Sequence, residues 1–239
     1  MAMGGKVRGP TVAVVTATTG RDTLQQTLDS VARQSYPCVH YVFSDAEDLP
    51  ADIKFGPNVK FCRLPVKTGG NGMMNGGIVA ASAYLVQEDC IAWLDDDNWF
   101  EPNHIESLVD RLEDLSTLTS PEYAYSLRKL VNVDGSFFDN DDCESLGPYT
   151  KFIYLNCYLM RRQLAVQIAP LWYNTTGTLM VGNRNVYNCL DQNKLAGVCN
   201  GEYSVNYRLS MKNDLRAFFF ENNVKVRAQF AGKLPWERN

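Results

Sequence analysis

The chain has 239 residues, of which 45% are hydrophobic and 21% are charged, a composition typical of globular proteins. That composition excludes disordered and fibrous classes, and the length allows one large domain with a sizeable core. The formal net charge of -4 excludes a basic field that would attract nucleic acid or anionic lipid.

The cysteine pattern and the hydropathy bear on the compartment. Seven scattered cysteines without a C-x-x-C pair are typical of a reducing environment. No apolar run approaches the roughly 20 residues that span a bilayer. The sequence therefore predicts a cytoplasmic protein without a transmembrane segment, and residues 1–10 are predicted to be a tag or a disordered leader.

The first half of the chain alternates between short apolar runs and helical patterns. Strand, helix and strand within about 35 residues form a βαβ unit, which indicates a parallel sheet with a right-handed crossover. Strands are predicted at 11–16, 39–44, 59–64 and 90–94, and helices at 24–31, 74–85 and 102–112.

Beyond about residue 116 the periodicity weakens. Val133–Ser136 is typical of a hairpin turn, and the acidic segment Asp139–Glu144 is predicted to be a solvated loop rather than a calcium site. A further strand is predicted at 152–160, and helices around 185–192 and 213–221. The fold class is α/β, with a central, mostly parallel sheet flanked by helices in a single domain over 1–239.

Polar residues follow three of the predicted strands. They are Thr16–Thr19, the pair Ser44 and Asp45, and the triplet Asp95–Asp97. Ligands of open parallel sheets bind beyond the carboxyl ends of the strands. The sequence therefore predicts that these segments converge on one ligand-binding edge.

The Asp95–Asp97 triplet indicates a metal site. Three adjacent carboxylates repel one another, and partial burial makes this costly unless a cation is present. In an extended chain Asp95 and Asp97 lie on one side and Asp96 on the other. The alternative is an N-cap cluster ahead of the helix that begins at Pro102, and the sequence leaves both open.

Other chemistries lack their residues. The sequence contains neither a Gly-x-x-x-x-Gly-Lys-Ser/Thr phosphate loop nor a Gly-x-Ser-x-Gly elbow. The histidines, His40 and His104, lie far apart in the chain without metal-ligand spacing, and His104 is predicted to be exposed in a first helical turn.

These motifs together resemble those of a known family. The stretch 27–37, Thr-Leu-Asp-Ser-Val-Ala-Arg-Gln-Ser-Tyr-Pro, is similar to the helix after the first strand in GT-A glycosyltransferases of the large inverting family 2. Gly72–Gly77 is similar to that family's Gly-rich helix start, and Asp95–Asp97 with Pro102 to its Asp-x-Asp motif. The resemblance covers roughly residues 11 to 115.

The resemblance implies a GT-A fold and the transfer of a sugar, with inversion, from a nucleotide donor, most often a uridine diphosphate sugar. It assigns donor binding to 11–115 and acceptor binding to 116–239, the acceptor being a saccharide, a lipid-linked molecule or a protein. Asp97 and Asp95 would hold Mn²⁺ or Mg²⁺. The residues predicted to bind the nucleotide sugar are Thr16, Ala17, Thr18, Arg21, Asp45, Asn75, Asp95 and Asp96.

The catalytic base departs from the family pattern. Asn183 stands where the family carries a carboxylate, so the base is predicted to be Asp191 or Glu202. Met74 also replaces a usual Arg. Two further readings stay open: an inactive nucleotide-sugar-binding module, indicated by Asn183, and a sugar-phosphate nucleotidyltransferase, for which only Arg21 follows the first strand as a basic residue.

Aromatic residues of the second half have two interpretations. They either stack on acceptor sugars or pack in the core. The residues concerned are Trp172, Tyr173, Tyr203 and Tyr207.

Overall fold

The computed structural model describes residues 9–70, 74–114, 120–142, 152–173, 181–209, 215–230 and 232–234. Most of the predicted leader 1–10, together with Gly72 and Met73 of the Gly-rich helix start, lies outside the described residues. No helix among the described residues is long and apolar enough to cross a membrane.

The first half folds as the periodicity predicts. Four short runs rich in apolar and β-branched residues form strands that pair in parallel, with Val12 opposite Cys38 on one side and Cys90 on the other. The strands are β1 (Val12–Thr18), β2 (Cys38–Ser44), β3 (Val59–Arg63) and β4 (Cys90–Trp93); the helices are α1 (Leu24–Ala32), α2 (Gly76–Leu85) and α3 (His104–Leu112).

The second half adds antiparallel partners. The strands of this half are β6 (Tyr123–Val131), β7 (Phe137–Asn140), β8 (Tyr158–Arg161) and β9 (Gly197–Arg208), and β9 also pairs with the short strand β5 (Trp99–Phe100) of the first half. The helices of the second half are α4 (Arg162–Trp172), α5 (Val181–Gln192) and α6 (Arg216–Gln229). The strand predicted at 152–160 begins only at Tyr158, because Leu155–Cys157 form a 3₁₀ turn.

The described strands form one sheet in the order β3-β2-β1-β4-β8-β6-β9-β5, with β7 paired to β6. β8 runs antiparallel to both β4 and β6, so β6 points in the same direction as β1 and β4. β9 pairs in parallel with β6. The carboxyl ends of β1, β2, β4, β6 and β9 therefore share one edge, called here the donor edge.

The core lies on both faces of the central strands. The apolar residues of β4 and residues Val12–Val15 of β1 are buried, as parallel strands covered on both faces require. Trp93 of β4 donates a hydrogen bond to Ser82 of α2 at 3.1 Å, and its ring lies 5.8 Å from that of Trp172. Trp172 is thus a core residue, whereas Tyr173, next in the chain, is exposed.

Two sequence predictions about charged or titratable groups were wrong. His104 is fully buried; its Nδ1 lies 2.8 Å from Oγ of Ser204 and its ring stacks on Phe100. Asp141 and Asp142 are also buried, although a solvated loop was predicted there. Burial of these groups follows from tertiary partners that lie far away in the chain.

His40 provides a test of this packing. Burial lowers its pKa to about 3, while Oγ1 of Thr16 lies 2.9 Å from its Nε2. Because the pKa is about 6.5 in the unfolded chain, the neutral ring contributes stability above that pH. This contribution is lost as the pH falls from about 6.5 towards about 3, and the loss between pH 7 and pH 5 is about 2 kcal/mol.

We therefore expect His40→Gln, which can still bond Thr16, to reduce the pH dependence of the unfolding free energy by this amount. Urea denaturation of the parent and the variant at pH 7 and pH 5 measures the difference. An equal loss of stability in both proteins would contradict a buried, neutral His40.

Candidate functional site

The polar segments after β1, β2 and β4 meet at the donor edge, as predicted. The backbone N–H of Asp45 donates to the carbonyl of Thr18 at 2.9 Å, and that of Leu94 donates to the carbonyl of Val15 at 2.9 Å. The parallel ladders thus continue into the loops and place the Asp95–Asp97 triplet beside the end of β1.

Asp96 is the carboxylate that β1 and its loop enclose. Its Oδ2 accepts hydrogen bonds from Oγ1 of Thr18 at 2.7 Å and from the backbone N–H of Thr19 at 3.3 Å. Nε of Arg21 lies 3.4 Å from its Oδ1. Burial raises the pKa of Asp96, and the hydrogen bond from Thr18 opposes that shift.

Asp95 is held from the other side. Nδ2 of Asn75 donates to its Oδ1 at 2.7 Å, and Oη of Tyr154 donates to its Oδ2 at 2.6 Å. Burial, and then the charge of Asp97, raise the pKa of Asp95 to about 6 despite the bond from Tyr154. Both carboxylate oxygens therefore already accept hydrogen bonds from fixed partners.

Asp97 is the most open of the three carboxylates, with 29% of its side chain exposed. Its Oδ2 accepts a short charge-assisted hydrogen bond from Arg21, and its backbone carbonyl accepts one from Nε of Arg208 at 3.1 Å. The Arg21 side chain is 53% exposed. Burial disfavours the charge of Arg21, but the three carboxylates outweigh burial and raise its pKa.

Asp45 lies at the donor edge directly after β2. It is buried, and its carboxylate accepts hydrogen bonds from the N–H of Thr68 at 2.6 Å, from Oγ1 of Thr68 at 2.8 Å and from the N–H of Gly69 at 3.0 Å. A Cβ at Gly69 would lie 2.5 Å from the carbonyl of Met74, so only glycine fits. Asp45 thereby holds Thr68 and Gly69 in place beside Met74.

The remaining predicted donor residues differ in how they face this edge. Thr16 is buried and bonded to His40, so its hydroxyl is not open to a ligand. Ala17 is half-buried, and Thr18 is buried with its hydroxyl on Asp96. These β1 residues shape the edge, whereas Arg21 lies at its surface.

Two residues at the donor edge were missed by the sequence analysis, Tyr154 and Arg208. Arg208 ends β9, and its guanidinium contacts Gln26, the carbonyls of Asp97 and Val133, and the ring of Trp99. Nothing in the sequence distinguishes Tyr154 from the other tyrosines, since the chain contains 12. Both residues reach the site only through the order of the strands.

Neither predicted catalytic base lies with the Asp95–Asp97 triplet. Asp191 is in the last turn of α5 and its charge acts on Tyr123, at the opposite, amino-terminal end of β6. Glu202 is exposed in β9 and accepts a hydrogen bond from Asn103 at 2.8 Å. It precedes Tyr203, the residue of β9 that pairs with Leu127 in the interior of β6. In the part of the chain that the structure describes, neither residue contacts the triplet, and both assignments stay predictions.

Asn183 lies in the first turn of α5, close to the end of α4. A Cβ on the neighbouring Gly182 would contact Trp172, so this turn packs directly on α4. The amide oxygen of Asn183 is buried and has no hydrogen-bond partner among the described residues. An amide cannot act as a proton acceptor at neutral pH.

The triplet also bears on the predicted metal. No group of three or more His, Cys, Asp and Glu side chains in the described ranges is arranged to hold an ion. Mg²⁺, however, is commonly held by one or two carboxylates together with substrate phosphates. The partly exposed carboxylate of Asp97 fits that role. Asp95 fits it less well, because Asn75 and Tyr154 occupy both of its oxygens.

Comparison with known protein families agrees with the resemblance that the sequence motifs indicate. Residues 11–189 match the profile of the family described as glycosyl transferase family 2. A search of curated protein sequences found no match.

Solved structures of S. aureus TarS share the fold. TarS 1-349 in complex with UDP is 13% identical, with a TM-score of 0.61, and the match covers 92% of this chain and 64% of TarS 1-349. TarS 1-349 in complex with UDP-GlcNAc is 12% identical, with a TM-score of 0.62 and coverage of 95% and 68%. The chain spans 41% of the longer TarS structure, at 13% identity and a TM-score of 0.58 over 95% of this chain.

Proposed function

This chain belongs to glycosyl transferase family 2, and we propose that it transfers a sugar from a uridine diphosphate sugar to an acceptor hydroxyl with inversion. The observation that carries the proposal is the donor edge itself. Asp45 and the Asp95–Asp97 triplet meet there, and Asp97 and Arg21 are open to a ligand. The complexes of TarS with UDP and UDP-GlcNAc support the choice of donor class.

The nucleotide would lie across the ends of β1 and β2. Buried Asp45 would accept a hydrogen bond from the base, and the backbone around Ala17 would border the ribose. Arg21 would face the diphosphate, because its guanidinium is half exposed and already lies among carboxylates. Buried, hydrogen-bonded groups at fixed positions orient a ligand without reorganisation when it binds.

Asp97 would hold Mn²⁺ or Mg²⁺ together with the donor phosphates. Such an ion supplies neutralisation of the charge that develops on the leaving diphosphate. Asp95 and Asp96 would stay fixed beside it, because their oxygens are occupied by Asn75, Tyr154 and Thr18. An all-oxygen environment of this kind suits either ion.

In the transfer, an acceptor oxygen forms a bond to the anomeric carbon from the face opposite the diphosphate. The bond from that carbon to the diphosphate breaks, and its electron pair leaves with the diphosphate, so the configuration inverts. The proton of the acceptor hydroxyl must go to a base. Since Asp191 and Glu202 lie elsewhere, we infer that neither residue takes it.

The metal assignment is tested by Asp97→Ala. We expect this variant to fold, because the change relieves repulsion within the triplet, but to lose metal-dependent binding of UDP. Calorimetry of UDP binding with Mn²⁺, and again after chelation, measures the effect. Asp110→Ala, which removes an exposed carboxylate of α3, is the control and should bind like the parent. Normal, chelator-insensitive binding by Asp97→Ala would contradict the assignment.

Asp45→Ala should weaken UDP binding by about 1–3 kcal/mol, the range for a buried polar group left unpaired. Thr68→Val separates base recognition from loop anchoring, because it removes one hydrogen bond to Asp45 and keeps the carboxylate. We expect this second variant to bind UDP almost normally. If both variants bind as tightly as the parent in calorimetry, Asp45 has no part in the site.

For the base, we expect Asp191→Asn and Glu202→Gln to retain turnover within about twofold of the parent. Loss of a true general base would lower turnover by roughly 10²–10⁴-fold. The measurement is release of UDP from a donor with each acceptor class in turn. A drop of that size in either variant, with donor affinity unchanged, would show that the residue reaches the donor edge after all.

A further inference from the structure

Arg128 is a charged residue in the interior of β6, and its side chain is completely buried. Its Nε donates to Oδ2 of Asp141 at 2.5 Å. Taking two charges out of water is costly, and a buried ion pair often contributes little net stability compared with an apolar pair of the same size. Stability alone therefore does not account for a guanidinium at this position.

The guanidinium of Arg128 lies beside two aromatic rings that also contact each other. Its central carbon is 4.4 Å from the ring centroid of Tyr154 and 4.3 Å from that of Tyr207. The two rings also meet edge to face, with their centroids 4.9 Å apart. A planar cation against two ring faces restricts how each ring can tilt. Asp141 fixes the cation in turn.

Tyr154 connects this cluster to the donor edge. Its ring contacts Arg128, and its hydroxyl donates to Oδ2 of Asp95 at 2.6 Å. The tyrosine is partly buried, and burial raises its pKa, so the hydroxyl stays protonated and acts as the donor. The position of the ring therefore decides where Asp95 is held relative to Asp96 and Asp97.

We propose that Arg128 is a positioning residue for donor binding: paired with Asp141, it holds Tyr154 so that the tyrosine hydroxyl fixes Asp95. The inference rests on the proposed function, because it assigns the consequence to nucleotide binding. It adds Arg128 of β6 and Asp141, the residue after β7, to the donor site; both lie outside the predicted donor half.

The test is a set of variants titrated with UDP in the presence of Mg²⁺ by calorimetry. Arg128→Met combined with Asp141→Asn removes the buried charge pair as a unit and keeps the volume. Tyr154→Phe removes only the hydroxyl. We expect each to weaken UDP affinity about tenfold, the loss of one hydrogen bond to a charged group. In the triple variant the loss of affinity should remain about tenfold, because both changes remove the same support of Asp95 by the hydroxyl of Tyr154.

The neighbouring pair of Arg227 and Asp142 provides the matched control. Arg227 donates to Asp142 from α6, and these residues make no contact with Tyr154 in the described structure. Arg227→Met combined with Asp142→Asn should lower thermal stability as Arg128→Met with Asp141→Asn does, yet keep UDP affinity within about twofold of the parent. A merely structural role of Arg128 would make the two pairs indistinguishable in UDP binding.

The outcomes separate the inference from the proposed function. If the parent binds no UDP, the proposed function fails and this inference with it. If the parent binds UDP and the folded Arg128→Met, Asp141→Asn variant binds equally well, only the inference is overturned. A loss of UDP affinity in the triple variant equal to the product of the two separate losses would also overturn it. Should the pair variant not fold, Arg128→Lys provides the test, because lysine keeps the positive charge but lacks the planar guanidinium. Parent-like UDP affinity of this variant would overturn the inference.

Discussion

The mutual repulsion of three adjacent carboxylates at the end of β4 is the constraint on which the site depends. Each carboxylate is held by a different part of the chain: Asp96 by the loop after β1, Asp95 by Asn75 and Tyr154, and Asp97 by Arg21. Unpaired charges at this depth would be costly, so these partners stabilise the triplet by hydrogen bonding and opposite charge. The same contacts tie α2 and the segment before β8 to the donor edge.

The donor edge was predictable because its geometry follows from local patterns. Apolar runs separated by helical spacing dictate parallel strands, and parallel strands bring their carboxyl ends together. The partners of the triplet from the second half were not predictable. Tyr154 reaches Asp95 only because β8 runs between β4 and β6, and strand order in the antiparallel part has no local signature.

One part of the second half could have been found. A hairpin centred on Val133–Ser136 is expected to pair residues whose numbers add up to 269, and beyond a bulge next to Val131 the strands do so, as Lys129 and Asn140 show. The same register puts Arg128 opposite Asp141, and their backbones are indeed joined by a hydrogen bond of 3.0 Å. An arginine inside an apolar strand, opposite an aspartate, indicates a buried ion pair. Composition alone had suggested a solvated acidic loop.

The predicted bases lie away from the triplet for a geometric reason, and the site itself divides into rigid and adaptable parts. Spacing along the chain does not give direction. Because α5 begins beside Trp172 and its 12 residues extend about 18 Å along the axis, Asp191 in its last turn lies away from the edge. Side chains that stay at the edge either have their carboxylates bonded to fixed partners, as Asp95 and Asp96 do, or are partly exposed and paired with each other, as Asp97 and Arg21 are. Exposed ion pairs contribute little and are screened by salt. Ligand charges can therefore replace the contact of Arg21 with Asp97 at small cost, while the buried hydrogen bonds keep the rest of the triplet in place.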